Sequence, residues 1–396
     1  LHSTSRRQRQ MCIRDRGMLY GLFTNMRIAL IIFPIHASHG CILQTYALYR
    51  TLRKLGHDVS IIDRQWDKLS LKNQLVYAVK SLIISIKRKC IRPLTIEGTR
   101  KIIMSELQTF VDKHLSNRKI YFRTPRYEEL PHYDAFIVGS DQTWRPKYVS
   151  DILYYYLCFV PAEEKVKRIA YAPSFGTEEW EYSEQQTLQC RELVSRFDAI
   201  AVREDSGAKL CGKYLGINVE HVLDPTMLLN KEDYLSETGI MPSEQNRLSY
   251  YLLDNSKSKM QIVEEICKEL HLTVQRINTE TENHKAGIKE RVAPSIEKWI
   301  EGFVNSKFIV ADSFHATVFA IIFNKHFITI ANKDRGIARF ESLLKMFGLE
   351  NRLITDIRQV TPELVHESID WGKVNQTMWA KQSSSLDYLK FNLGNI

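Results

Sequence analysis

Asp312, Ser313 and His315 place an acid, a hydroxyl and an imidazole within four residues. Together such groups can hold an anion and move a proton. They follow residues 307–311, an apolar run suited to a buried parallel strand, and precede residues 318–323, an apolar run suited to a buried helix. The expected place is a strand's carboxyl end and a helix's amino end, where open α/β sheets bind ligands and free backbone N–H groups favour anions.

Five further polar clusters follow apolar runs in the same way. They are His36-Ala37-Ser38-His39-Gly40, Gly139-Ser140-Asp141-Gln142-Thr143-Trp144, Ser174-Phe175-Gly176, Arg203-Glu204 and Asn332-Lys333-Asp334-Arg335-Gly336. In doubly wound sheets these ends share one rim, so six clusters together point to a site. Plainer uses stand beside that reading. Gly40 and Gly139 would serve tight turns, Asp312 and Ser313 a helix N-cap, Arg203 and Glu204 a surface ion pair. His36 and His39 have no third ligand at metal spacing, so no metal is expected.

The elements that must position these groups read as two series. Strands are expected at 28–33, 59–62, 135–138, 168–172, 199–202 and 219–222, then at 249–253, 273–277, 307–311 and 327–330, with helical patterns between most of them. The fold class is therefore α/β, with two Rossmann-like domains facing a cleft. The first domain is expected over 26–230, with a helical insertion at about 66–130. A polar linker follows at 231–247 and the second domain at 248–396. Residues 1–17 are expected to be non-native, because 10–16 resemble translated adapter sequence, and the natural start is expected at Met18 or Met26.

Without residues 1–16 the chain holds 50 basic and 45 acidic residues, net +5 rather than +9. That mild charge suits a small anionic substrate or an anionic membrane surface and does not call for nucleic acid. Seven cysteines without CxxC spacing read as reduced thiols of a cytoplasmic protein. P-loop, GxGxxG and GxSxG motifs are missing from the sequence, which argues against the usual nucleotide fingerprints and the α/β-hydrolase elbow.

Taken in order, the motifs resemble the polysaccharide pyruvyl transferase family. The matching pieces are Gly40-Cys41-Ile42-Leu43-Gln44, Val138-Gly139-Ser140-Asp141-Gln142 with Trp144, Ser174-Phe175-Gly176, Val202-Arg203-Glu204, Val222-Leu223-Asp224-Pro225-Thr226, Asp312-Ser313-Phe314-His315, and Asp334-Arg335-Gly336 before Arg339-Phe340. The resemblance implies a GT-B-like fold and transfer of a pyruvyl group from phosphoenolpyruvate to sugar hydroxyls, closing a ketal on a polysaccharide or its precursor. No cofactor is implied. His315 matches the family's histidine near the donor, and Arg203 an arginine expected to hold the donor's carboxylate or phosphate.

Glu204 and Asp141 are candidates for taking acceptor protons or orienting a donor. Ser38, Gly40, Gln44, Gly139, Ser140, Gln142, Trp144, Ser174, Asp312 and Ser313 are expected around the substrates. The chain departs from the family at Ser38, where many members have Asn, and at Ser313, where some have Arg. Arg335 or Lys333 would then supply the missing charge. A nucleotide-sugar glycosyltransferase and a non-catalytic glycan- or donor-binding homologue are the other readings. A lipid-linked acceptor at the inner face of the membrane would fit the basic stretch between Lys80 and Arg100.

Overall fold

A computed structural model describes residues 25–88, 92–254, 256–331 and 336–394. Lys333 and Arg335, two of the expected anion-binding residues, lie outside the described residues, as do Met18 and segment 1–17.

The strands are β1 (Arg27–Ile31), β2 (Asp58–Arg64), β3 (Arg118–Tyr121), β4 (Ala135–Val138), β5 (Lys167–Tyr171), β6 (Ala199–Val202), β7 (Glu220–His221), β8 (Gln245–Tyr251), β9 (Thr273–Arg276), β10 (Ser306–Ala311), β11 (His326–Ile330) and β12 (Leu353–Ile354). The first seven form one parallel sheet in the order β3-β2-β1-β4-β5-β6-β7, and the rest form a second in the order β12-β11-β10-β8-β9. Two Rossmann-like parallel sheets facing a cleft, in the GT-B-like manner, are thus the architecture.

Strand residues alternate between two cores, as a pleated strand requires. Ile28 and Leu30 join the cluster between the sheets, while Ala29 and Ile31 join the one behind the first sheet. Ile309 and Phe308 divide in the same way in β10. The central cluster is continuous from Ile28 through Tyr46 to Trp299 and Phe319, so the sheets share a floor beneath the cleft.

Three regions differ from their expected character. The stretch expected to be helical, 66–130, has helices Leu71–Arg88, Ile96–Ile103 and Ser105–His114 but also the edge strand β3, paired with β2. Residues 231–247, expected as a polar linker, contain the helix Lys231–Thr238. The last helix, Trp371–Leu393, returns to the first sheet. There the Tyr388 hydroxyl donates to the Ala170 carbonyl at 3.1 Å and Ser385 Oγ accepts the Leu223 amide at 3.1 Å.

Candidate functional site

Each sheet reverses its winding direction once, between β1 and β4 in the first and between β8 and β10 in the second. Such switch points open crevices at strand carboxyl ends. Here the two crevices face each other across one cavity of about 810 Å³. The segment after β1 supplies Ser38, His39 and Gly40, and the segment after β4 supplies Asp141 and Gln142. Asp312, Ser313 and His315 come from the turn after β10, and Arg339 from the helix Ala338–Phe347.

Two helices begin at this wall, His39–Lys54 and Phe314–Ile322, and neither has an acidic residue in its first turn. Their amino ends keep positive character that favours anions. Gly40 is required here, because a Cβ on it would overlap the His315 imidazole. Ser38 caps the first helix, its oxygen accepting the Cys41 amide at 3.4 Å. Ser313 occupies the N-cap of the other helix but makes no capping bond with its side chain. The capping use expected of Ser313 is therefore not made, and its residue lines the cavity.

Behind the wall lies a buried charge network. Arg203 donates to Asp224 Oδ2 at 2.7 Å, with Asp141 Oδ1 at 3.5 Å and Glu204 Oε2 at 3.8 Å from its guanidinium. His315 Nε2 stands 3.6 Å from the same Asp224 oxygen. The other Asp224 oxygen accepts the Thr226 amide at 3.0 Å and hydroxyl at 2.6 Å. Burial pushes the Asp224 carboxyl up, but His315, Arg203 and Thr226 more than reverse this and hold it well below the usual carboxylate range. The same contest holds Asp141 down, with Arg203, His315 and Arg339 outweighing burial. Burial pulls the Arg203 guanidinium down, yet its three carboxylates leave it raised.

Arg339 differs from Arg203. Its guanidinium is brought down to about 10, first by burial and then by the Arg203 charge. Both guanidiniums sit on the Phe314 ring, at 4.4 Å and 5.5 Å from its centroid.

Several expected contacts therefore change place. Arg203, expected to hold the donor's carboxylate or phosphate, is buried among carboxylates and lies outside the cavity lining. Glu204 is 1% exposed, and its Oε1 accepts the Ser174 hydroxyl at 2.9 Å and the Phe175 amide at 2.8 Å. It braces the turn after β5 and lies outside the cavity lining. The Ser174 hydroxyl is used in that brace. Trp144 is a core residue, stacked on Tyr156 and donating to the Tyr155 carbonyl at 3.1 Å. Gln44 binds the Ser140 amide at 3.3 Å and the Ser140 hydroxyl in a shorter contact, tying the first helix to the turn after β4. A Cβ on Gly139 would overlap the Tyr171 carbonyl, so that glycine serves close packing. Asp312 accepts from Lys259 at 2.5 Å and from the Leu253 amide at 2.7 Å, fixing the loop after β8. The two histidines considered for a metal instead sit near backbone carbonyls, His36 Nδ1 2.8 Å from Pro34 O and His39 Nε2 2.8 Å from Pro294 O.

The family model for polysaccharide pyruvyl transferases matches residues 39–334, three quarters of the chain and both sides of this cavity. The chain belongs to the polysaccharide pyruvyl transferase family. No curated protein matches it. Among solved structures it is similar to the S. aureus MnaA–UDP complex, with 13% identity, TM-score 0.45, and 94% of this chain and 98% of that one covered. It is also similar to the kitacinnamycin glycotransferase (11%, TM-score 0.44, 93% and 99%) and to a Rickettsia africae glycosyltransferase (12%, 0.44, 94% and 96%).

Two residues of this pyruvyl transferase family member were left without a role by the sequence reading. Asp224 stands in the sequence only as part of the Val222–Thr226 motif, and the structure places it against His315. Arg339 sits in the helix Ala338–Phe347 among buried apolar side chains, so periodicity assigns it to packing. The signal available was its place beside Phe340 at the end of the family's motif series.

Proposed function

We propose that this protein transfers the pyruvyl group of phosphoenolpyruvate to two hydroxyls of a saccharide, closing a ketal and releasing phosphate. The observation that carries the reading is that His315 and Arg339 both line the cavity where two helix amino ends open, with Asp224 behind the imidazole. An anionic donor against that wall would offset the burial and repulsion that Arg339 bears. Arginine suits the task because its fork meets carboxylate or phosphate with two bonds. In this reading Arg339 takes the place expected of Arg203, and Ser313 adds a hydroxyl beside it.

His315 donates its proton to the methylene carbon of the donor, which becomes the methyl group. Positive character grows at C2, and a first sugar hydroxyl adds there. Phosphate leaves with its bonding pair, the second hydroxyl adds to the same carbon, and the ketal closes. Of the two protons the hydroxyls give up, one restores His315 and the other leaves with phosphate or solvent. Asp224 orients the imidazole and balances its charge. In this reading Asp141, one of the carboxylates lining the cavity, takes the second hydroxyl proton and passes it to phosphate or solvent. Glu204 braces the Ser174–Gly176 turn and helps to balance Arg203.

The test combines ligand-dependent melting with product analysis. Phosphoenolpyruvate at about 100 times its Kd should stabilise the protein by about 2.7 kcal/mol. Saccharide incubated with both should then release pyruvate on mild acid treatment. No shift with phosphoenolpyruvate, together with a shift by a UDP-sugar, would overturn the reading in favour of a glycosyltransferase.

A further inference from the structure

Helix Leu71–Arg88 is built inside out. Its inward face carries Tyr77, Ser81 and Ser85, which bond to the segment that follows it. The Tyr77 hydroxyl lies 2.6 Å from Thr99 Oγ1, Ser81 Oγ donates to the Pro93 carbonyl at 2.7 Å, and Ser85 Oγ accepts the Arg92 amide at 3.2 Å. Its outward face carries Leu71, Leu75, Val79, Leu82 and Ile86, which are 46–79% exposed together with the neighbouring Ile83. At 100° per residue the first five fall within one stripe of about 80°, with Ile83 beside it. A soluble helix hides such a stripe. Among the described residues nothing covers this one.

Charge says what would. Lys72 borders the apolar stripe, Lys87 and Lys80 follow about 80–100° beyond it on the side that carries Ile83 and the exposed Val76, and residues 68–96 hold no aspartate or glutamate. An apolar stripe flanked by lysines and free of acids is the pattern of a helix lying in a membrane interface. There the stripe enters the acyl boundary and the lysines reach anionic headgroups. The position fits as well. The helix starts five residues after Trp66, which lines the cavity, and Arg92 beyond its end donates to the His284 carbonyl at 3.1 Å, next to the cavity-lining segment 278–283.

We propose that Leu71–Arg88 docks this protein on an anionic lipid surface and holds the cavity mouth at that surface. The proposal is independent of the pyruvyl-transfer reading, and its test needs no donor. The full chain is sedimented with vesicles of phosphatidylcholine, alone or with about one third phosphatidylglycerol. Wild type should pellet with the anionic vesicles and release with salt. Leu75→Ser/Val79→Ser/Leu82→Ser should lower the bound fraction about 10-fold or more, with unchanged thermal melting because those side chains are exposed. Lys72→Gln/Lys80→Gln/Lys87→Gln should reduce binding to anionic vesicles towards the level of the neutral ones. Wild type left in the supernatant, or a serine variant that binds undiminished, would overturn the proposal. So would a dimer in the absence of vesicles that the serine variant splits, since a second copy would then own the stripe.

Discussion

Asp224 and Asp312 are both buried aspartates at the C-terminal rims of parallel sheets, one on each side of the cavity, and their environments drive them in opposite directions. Asp224 meets Arg203, the His315 imidazole and a threonine, and its carboxyl is held low. Asp312 has one lysine and two backbone amides, and burial wins, leaving its carboxyl raised. Burial alone does not tell a working carboxylate from a structural one. The number of charges facing it does. The first-sheet rim is thus a preset electrostatic base for His315, whereas Asp312 mainly pins a loop.

The contrast breaks most sharply at Asp224. Asp224→Asn should cost about 3–5 kcal/mol of stability, because Arg203 loses its closest carboxylate while staying buried. Turnover should fall with it, since His315 loses its orienting charge. An unfolding titration that finds under about 1 kcal/mol would mean that Asp141 and Glu204 suffice for Arg203.

Between the rims lies His39, stacked on Trp299 at 5.2 Å, with burial bringing its imidazole down to about 4. A folded value below the unfolded one of about 6.5 means that the unfolded chain takes the proton first. The stability tied to neutral His39 is present above pH ~6.5 and drains as pH falls to about 4, by roughly 3 kcal/mol. His39→Phe keeps the stack and should flatten that slope in pH-dependent melting. A slope unchanged in the variant would assign the acid loss to the carboxylates.

The central strands were legible because parallel strands buried on both faces read as unbroken apolar runs. β4 and β6 begin and end where the sequence places them, and β1 and β10 agree within two residues. β3 was missed because an edge strand with one open side needs no such run, and Arg118-Lys119-Ile120-Tyr121 has none. The site was legible as rim clusters but not as depths. Strand-end position is a matter of sequence order, whereas Arg203 turns inward because Asp224 and Asp141 converge on it from two other segments, beside its own neighbour Glu204. Arg339 was hidden for the converse reason, being a charge on the buried, mostly apolar face of its helix. The apolar stripe of Leu71–Arg88 shows the same limit, since helical spacing finds the stripe but not which side is covered.

His315→Ala tests the first rim's chemistry. Turnover should fall about 100-fold or more while phosphoenolpyruvate still shifts melting, because Arg339 and the helix ends remain. A lost shift with proportionate turnover would make His315 a binding residue instead.

The smallest effect belongs to Asp312. Asp312→Asn keeps an acceptor for the Leu253 amide and loses the Lys259 pair and the long Asp254 amide bond on the other oxygen, so about 1–2 kcal/mol is expected. Its pH signature is the sharper measure. A carboxyl raised by folding binds its proton more tightly in the folded chain, so its stability term is full below the unfolded value near 4 and is lost as pH rises through the folded one. Asp224 does the reverse, contributing above its unfolded value and losing that contribution as pH falls towards its depressed folded one. Melting curves from pH 7 down to about 3 should therefore flatten in Asp224→Asn and steepen in Asp312→Asn. Matching curves for the two variants would mean that the two rims carry the same electrostatics, and the asymmetry that sets His315 apart would be gone.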